Sequence, residues 1–358
     1  MAKISATWMR GGSSKCWIFR REDLPEDSKS RDRLLSRLFG SPDLAQIDGI
    51  GGATTVTSKV IVIDSARETE GKVDYQFGQV VIDDRRVEWV SNCGNCATAL
   101  GLYAAQEGLG RVANGRSQVQ LSNTVTGLEL TTAVELSEGV VPNDGPVFVS
   151  GVMYPGVGVN VRFSAPSWTS RGKGLLPSGR EWQPVFVGKR EAAATFIDAG
   201  TPAVFVSGAD LGLDVKQANF EDQLGSLVNQ LRETRSAARD AVPGWVTGAG
   251  ESIPKIGVVL PAWYDPSVDL IVRMLSMDKL HPVISITSAV AVAVASTLDG
   301  SVVAECVKAS SAGNLLRIGT RRGVVEAERV RDGSGGVVAV EIRRNARRLA
   351  DADLAIPA

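Results

Sequence analysis

Two stretches place a reactive side chain beside backbone suited to receive an anion. The first is GIGGATTVTSKVIVID, Gly49 to Asp64, in which Lys59 opens an apolar run after a loop of glycines and hydroxyls. Such a loop can cradle an anion with Gly51, Gly52, Thr54, Thr55, Thr57 and Ser58 while Lys59 points at the ligand. The order and spacing of a Walker A loop are absent, so nucleotide binding has no support. The second is VSNCGNCATALGLYAAQ, Val90 to Gln106, where Cys93 precedes a run of small, apolar, helix-forming residues. A thiol there meets the positive end of a helix, which favours thiolate, and Gly94 lets backbone come close to a bound anion.

Cys93 and Cys96 form a CxxC, but tetrahedral zinc needs two further ligands, and the chain offers one histidine, His281, and isolated Cys16 and Cys306. No metal is expected. A redox pair is the better alternative for the two thiols, yet it ranks below a role for Cys93 alone, because the motif lies deep in a large chain and runs into a helix apolar all round. Cys96, one turn on, is then a core residue, and Asn92 and Asn95 are amides that need a reason to flank so apolar a helix.

Two further stretches carry polar groups. MRGGSSKCWIF places Arg10, two glycines, Ser13, Ser14 and Lys15 together, a candidate carboxylate clamp in which arginine supplies a bidentate fork; alone it is equally a hairpin turn. RMLSMDKLHP holds Ser276, Met277, Lys279 and His281 just ahead of a second apolar helix, ITSAVAVAVAS, which opens with Thr287 and Ser288.

The elements that position these groups are mostly strands. Stretches rich in Val, Ile and aromatic residues recur from ATWMR to GVVAVEI, separated by turn residues. Helical spacing is expected over Ser28 to Phe39, Cys96 to Glu107, Asn219 to Asp240, Val268 to Ser276 and Ala289 to Leu298. The helices ATALGLYAAQ and AVAVAVAS carry no charge, so each should be buried on every side. Each follows a strand and a short polar turn, which predicts two similar halves, residues 1–180 and 181–358, with the loop Gly172 to Arg180 crossing between them and a last segment able to return to the first. Both helix N-termini should face a shared ligand-binding cleft.

The chain has 358 residues, enough for a substantial core, and its 39 Lys and Arg against 40 Asp and Glu leave a net charge of −1. That balance points away from nucleic acid, and the late cluster Arg343 to Arg348 reads as a solvated face. Neither a signal peptide nor a run long enough to span a membrane is apparent, and four cysteines are too few for a disulfide scaffold; a cytoplasmic protein is expected.

Taken together, MRGGSSK, FGSPDLAQIDGIGGATTVTSKV, FGQVVID, SNCGN, GKGLLPSG, FIDAGTPAVFV, IPKIGVV, RMLSMDKLH and the terminal ARRL resemble the PrpF family of isomerases over nearly the whole chain. The resemblance implies an α+β, diaminopimelate-epimerase-like fold: two pseudo-symmetric domains, each a curved sheet wrapped around a central buried helix. It implies a 1,3-allylic proton shift or tautomerisation, without cofactor, in a small unsaturated di- or tricarboxylate such as an aconitate, methylaconitate or 4-oxalomesaconate. Lys59 and Cys93 match the family's lysine and cysteine, with Lys59 the stronger candidate for the base and Cys93 for a proton donor, acceptor or carboxylate ligand. Around them Arg10, Ser13, Ser14, Thr57, Ser58, Gly94, Asn95, Ser276, Met277, His281, Thr287 and Ser288 would bind substrate, and a homodimer is the expected assembly.

The departures are Cys16, where glycine is usual, Thr320-Arg321-Arg322 in RIGTRRG, and Thr287 and Ser288 where a two-thiol epimerase would place its second cysteine. The alternatives are an epimerase or racemase on the same fold and a carboxylate-binding protein without turnover.

Overall fold

A computed structural model describes residues 3–67, 70–89, 92–165, 174–246, 253–262, 264–276, 279–307 and 313–356. The chain divides into two compact units: Met1–Val161 with Arg343–Ala358, and Arg162–Ile342.

In the first unit lie β1 (Lys3–Gly11), β2 (Ser14–Arg20), α1 (Ser28–Phe39), β3 (Lys59–Arg67), β4 (Lys72–Val80), β5 (Val87–Glu88), α2 (Gly94–Gln106), β6 (Arg111–Ala113), β7 (Arg116–Asn123), β8 (Glu129–Glu135) and the start of β9 (Val157–Ser164). The C-terminal segment of the chain pairs along β1, from Lys3↔Ala355 to Gly11↔Ala346. From that segment the order is β1, β2, β3, β4, β7, β8, and the successive pairings are antiparallel, antiparallel, parallel, antiparallel, parallel, antiparallel.

The second unit holds β10 (Gln183–Val187), β11 (Arg190–Ala199), β12 (Thr201–Ser207), α3 (Phe220–Ser226), α4 (Val228–Ala241), β13 (Lys255–Pro261), β14 (Leu270–Ser276), β15 (Lys279–Leu280), α5 (Ile286–Ala295), α6 (Val302–Cys306), β16 (Leu315–Thr320), β17 (Gly323–Arg331) and β18 (Val337–Ala355), whose residues from Arg343 on belong to the first unit. From β10 through β11, β12, β13, β14, β16 and β17 the pairings again run antiparallel, antiparallel, parallel, antiparallel, parallel, antiparallel. The repeat legible in two apolar helices therefore extends to six successive strand pairings in each unit. Lys59 opens β3 and Lys255 opens its counterpart β13.

Each sheet surrounds one helix: α2 packs on β1, β2, β7 and β8, and α5 on β11, β12 and β17. Both are buried on all sides because neither carries a charge to keep in water. Close packing sets their composition; at Gly101 of α2 an added Cβ would lie 2.5 Å from Thr132 Oγ1 on β8.

Some expected elements differ. Within Val268 to Ser276 the chain forms strand β14 from Leu270 on, not a helix, because its short, mainly apolar run pairs with β13 and β16, a pattern periodicity alone cannot assign. Asn219 to Asp240 is two helices with a joint at Leu227. Both α2 and α5 begin earlier than expected, since Cys93 and Ser285 cap them. The loop expected between the halves lies in the second unit from Gly174 on, where Leu175 O accepts from Asp198 N at 2.9 Å; residues 172–173 are outside the described ones. Among the described residues no helix is long and apolar enough to cross a membrane.

Candidate active site

Cys93 is the N-cap of α2, its Sγ accepting from Cys96 N at 3.4 Å, and it is half-buried. Cys96 lies in the core beside Cys16, and all are free thiols. The Cys96 thiol hydrogen-bonded to Cys93, together with burial, holds the Cys93 pKa well above the ordinary thiol range; the charge of Lys59 and the Cys96 N–H pull the other way and lose. The direction is opposite to the one the helix end alone would give. One α-helix end contributes only a partial charge, set against the hydrogen bond with Cys96 and the partial burial of Cys93.

Asn92 has its reason in the preceding turn: its Oδ1 accepts from Asn123 Nδ2 and Thr126 Oγ1, both at 2.8 Å. It fixes the chain entering α2 and so the position of Cys93.

Lys59 sits opposite Gln79 in the β3–β4 ladder. Its Nζ donates to Gln79 Oε1 at 2.7 Å and stands 5.1 Å from the centre of the Phe77 ring. Gln79 is itself held, its Nε2 donating to Ser58 O at 2.8 Å. It orients the lysine, a role not assigned from sequence although FGQVVID contains it. Of the hydroxyls expected to cradle an anion, those of Thr54, Thr57 and Ser58 are engaged inside their own loop. Ser58 is buried and donates to Gln46 Oε1 at 2.6 Å, and Thr57 closes on Thr54 at 2.7 Å. Buried Gln46 is a polar hub of this loop, its Oε1 accepting from both Ser58 Oγ and Ala53 N.

The β1–β2 turn lies against the first turn of α2. At Gly11 an added Cβ would be 1.9 Å from Asn95 O, and Gly12 adopts φ +48° beside Asn95 Oδ1. Two glycines are needed so that backbone can touch backbone. We expect Gly11→Ala to destabilise the fold by about 1–3 kcal/mol, since the obstructing atoms belong to main chain and cannot swing aside. Denaturant unfolding measures this, and a midpoint equal to wild type would show the turn is not so held.

Across that contact Asn95 Nδ2 donates to Ser13 Oγ at 3.2 Å and Ser14 Oγ at 3.4 Å. Arg10, expected as the clamp, instead donates to Gly12 O, Asn345 Oδ1 (2.7 Å) and Pro155 O, holding strands and turn together. Arg344, read from sequence as part of a solvated face, is 3% exposed. Its Nη2 donates to Asn95 Oδ1 at 3.4 Å and its Nε has no partner. Burial, with the charge of Arg10 nearby, lowers its pKa to about 10, so it stays cationic at neutral pH. The segment is mixed: Arg343 and Arg347 are exposed, while Arg344, Asn345 and Ala346 between them are buried.

In the second unit the β11–β12 turn meets α5 in the same manner. Gly200 (φ +72°) leaves room for Thr287 O and Val290. Ser285 caps α5, accepting from Ser288 N at 3.1 Å and donating to Ser288 Oγ at 2.7 Å, with Thr287 Oγ1 3.3 Å away. These buried hydroxyls satisfy one another, and no thiol stands at this helix end. His281 Nδ1 accepts from Val283 N at 3.0 Å and so shapes the turn before α5. Ser276 ends β14; its side chain and Met277 lie outside the described residues. The departure Thr320-Arg321-Arg322 forms the β16–β17 turn, where Arg321 pairs with Glu221 at 3.1 Å.

Comparison with known proteins agrees over the full length. The family model described as PrpF protein matches residues 1–357. The chain is 33% identical to the 2-methyl-aconitate isomerase of Shewanella oneidensis, covering 99% of this chain and 97% of that one. It is 34% identical to the (4E)-oxalomesaconate Delta-isomerase of Novosphingobium sp., with 98% and 97% covered. Among solved structures, methylitaconate-delta-isomerase aligns with TM-score 0.79 at 26% identity over 98% of this chain and 95% of the other. A hydroxyproline epimerase from Agrobacterium vitis aligns at TM-score 0.58 but 11% identity, a likeness of fold alone. The α+β, diaminopimelate-epimerase-like fold expected from the sequence is thus the one observed, the activity is that of an isomerase, and the chain belongs to the PrpF family.

Proposed function

We propose that the protein moves a double bond in a small unsaturated di- or tricarboxylate of the aconitate, methylaconitate or oxalomesaconate type, by a proton shift between two allylic carbons. Lys59 takes a proton from the carbon made acidic by the conjugated double bond, and the C–H electron pair enters a dienolate. Cys93 gives its thiol proton to the far end of that dienolate, which completes the migrated double bond. The ammonium of Lys59 then returns a proton to the Cys93 thiolate, restoring both groups. A positioned acid and base of this kind typically contribute 10²–10⁴-fold each.

The observation that carries this reading is the pairing of Lys59, oriented by Gln79, with a thiol held neutral at the cap of α2 yet within reach of the lysine's charge. The isomerase names of relatives matched along their whole length support the reaction class. The test is proton NMR in deuterated water with aconitate, methylaconitate, itaconate and oxalomesaconate. The expected result is isomerisation of at least one acid with deuterium entering at an allylic carbon; inversion of a stereocentre without double-bond migration would replace this reading with epimerisation.

A further inference from the structure

We infer that Arg344, with Asn95 and the hydroxyls of Ser13 and Ser14, forms a seat for one carboxylate of the ligand at the first turn of α2. Other arginines at least as well placed to bind are already engaged. Arg10 is divided among Gly12 O, Asn345 and Pro155 O, Arg31 stacks on Trp89 near Asp32, and Arg329 donates to Gly313 O, Asn314 O and Ser296. Arg344 differs: 3% exposed, it has a single hydrogen bond, 3.4 Å long, its Nε is unpartnered, and it makes no ion pair among the described residues. Its charged neighbour is another arginine, Arg10.

A buried cation without a counter-ion is costly unless something anionic completes it. What surrounds it is suited to that anion. Asn95 Nδ2 donates to both Ser13 Oγ and Ser14 Oγ, so each hydroxyl accepts there and its own hydrogen is left to donate elsewhere. Of the first backbone N–H groups of α2, those of Cys96 and Ala97 are taken by Cys93. A carboxylate seated here would meet a guanidinium and hydroxyl donors a residue or two from the Cys93 thiol, which fixes the end of the substrate that the thiol faces. The inference rests on the polycarboxylate reading above for the nature of the ligand, not on which bond migrates.

The test uses the full chain and propane-1,2,3-tricarboxylate, a saturated acid that cannot isomerise, with calorimetry and thermal unfolding of wild type, Arg344→Met and Arg344→Lys. Arg344→Met should weaken binding about 10- to 100-fold, the loss of a charge-assisted pair, and abolish the ligand-dependent rise in Tm. Without ligand its Tm should equal or exceed that of wild type, because an uncompensated buried charge has been removed. Arg344→Lys keeps the charge without the fork and should lose about tenfold, a measurement that decides the matter if the methionine variant does not fold. Wild-type affinity in either folded variant would overturn the seat, as would a ligand-free Tm in both well below wild type, which marks Arg344 as an anchor for Asn95. If no acid is isomerised while tricarboxylate binding still depends on Arg344, the reaction proposed above fails and the seat stands.

Discussion

Lys59→Met is expected to lower kcat/KM by about 10²–10⁴ while leaving the fold intact, since the side chain keeps its length and its packing beside Phe77 but loses the amine. The lost hydrogen bond to Gln79 leaves that amide tied to Ser58 O, so its backbone anchor survives. The variant should also stop deuterium entering substrate, because no other group in the first unit is placed by Gln79 to begin the reaction. A second effect needs no turnover. The charge of Lys59 pulls the Cys93 pKa down against Cys96 and burial, so its removal pushes that pKa higher still. Alkylation of Cys93 by iodoacetamide, which follows the thiolate, should then be slower in Lys59→Met than in wild type at any one pH. Full activity in the variant would remove Lys59 as the base; unchanged alkylation would show that the two groups do not sense each other.

Cys93→Ala should cost about 10²–10³ in isomerisation but leave exchange at the deprotonated carbon, because Lys59 can still remove and return a proton there. That split separates a proton donor from a residue that only binds, for which exchange and isomerisation would fall together as KM rises. The sign of the pH dependence follows from the raised pKa. With the thiol held above its ordinary range, Cys93 is protonated throughout neutral pH and deprotonates only as pH climbs past that range. The rate of wild-type labelling should therefore be slow at pH 7 and rise only in alkaline buffer, as followed by mass spectrometry. Rapid labelling at pH 7 would mean that the helix end outweighs Cys96, and that Cys93 works as a thiolate. Cys93→Ser keeps a capping oxygen for Cys96 N and should unfold no earlier than wild type, which separates the chemical loss from any effect on α2.

Much of this was legible in the chain. Two helices without charged side chains can be stable only if buried on every side, so α2 and α5, and the two sheets around them, follow from composition and order. Lys59 at the head of an apolar strand and Cys93 at the head of an apolar helix are likewise local features, fixed by where a polar residue meets a buried run. Val268 to Ser276 was not legible, because a mainly apolar buried strand and a buried helix share one pattern, and what decides between them is pairing with β13 and with the sequence-distant β16.

The sequence by itself determined the repeat, the buried helices and the placing of Lys59 and Cys93 at the heads of a strand and a helix, since each depends on hydrophobic pattern within a short span. The tertiary structure alone decided which polar groups remain available to a ligand. Ser58 turns to Gln46 and Arg10 to Asn345, partners 12 and 335 residues away, whereas Arg344 arrives beside Asn95 from 249 residues away and finds no counter-charge. Hydrogen-bond satisfaction is a property of the packed neighbourhood, and no residue type or spacing states it in advance.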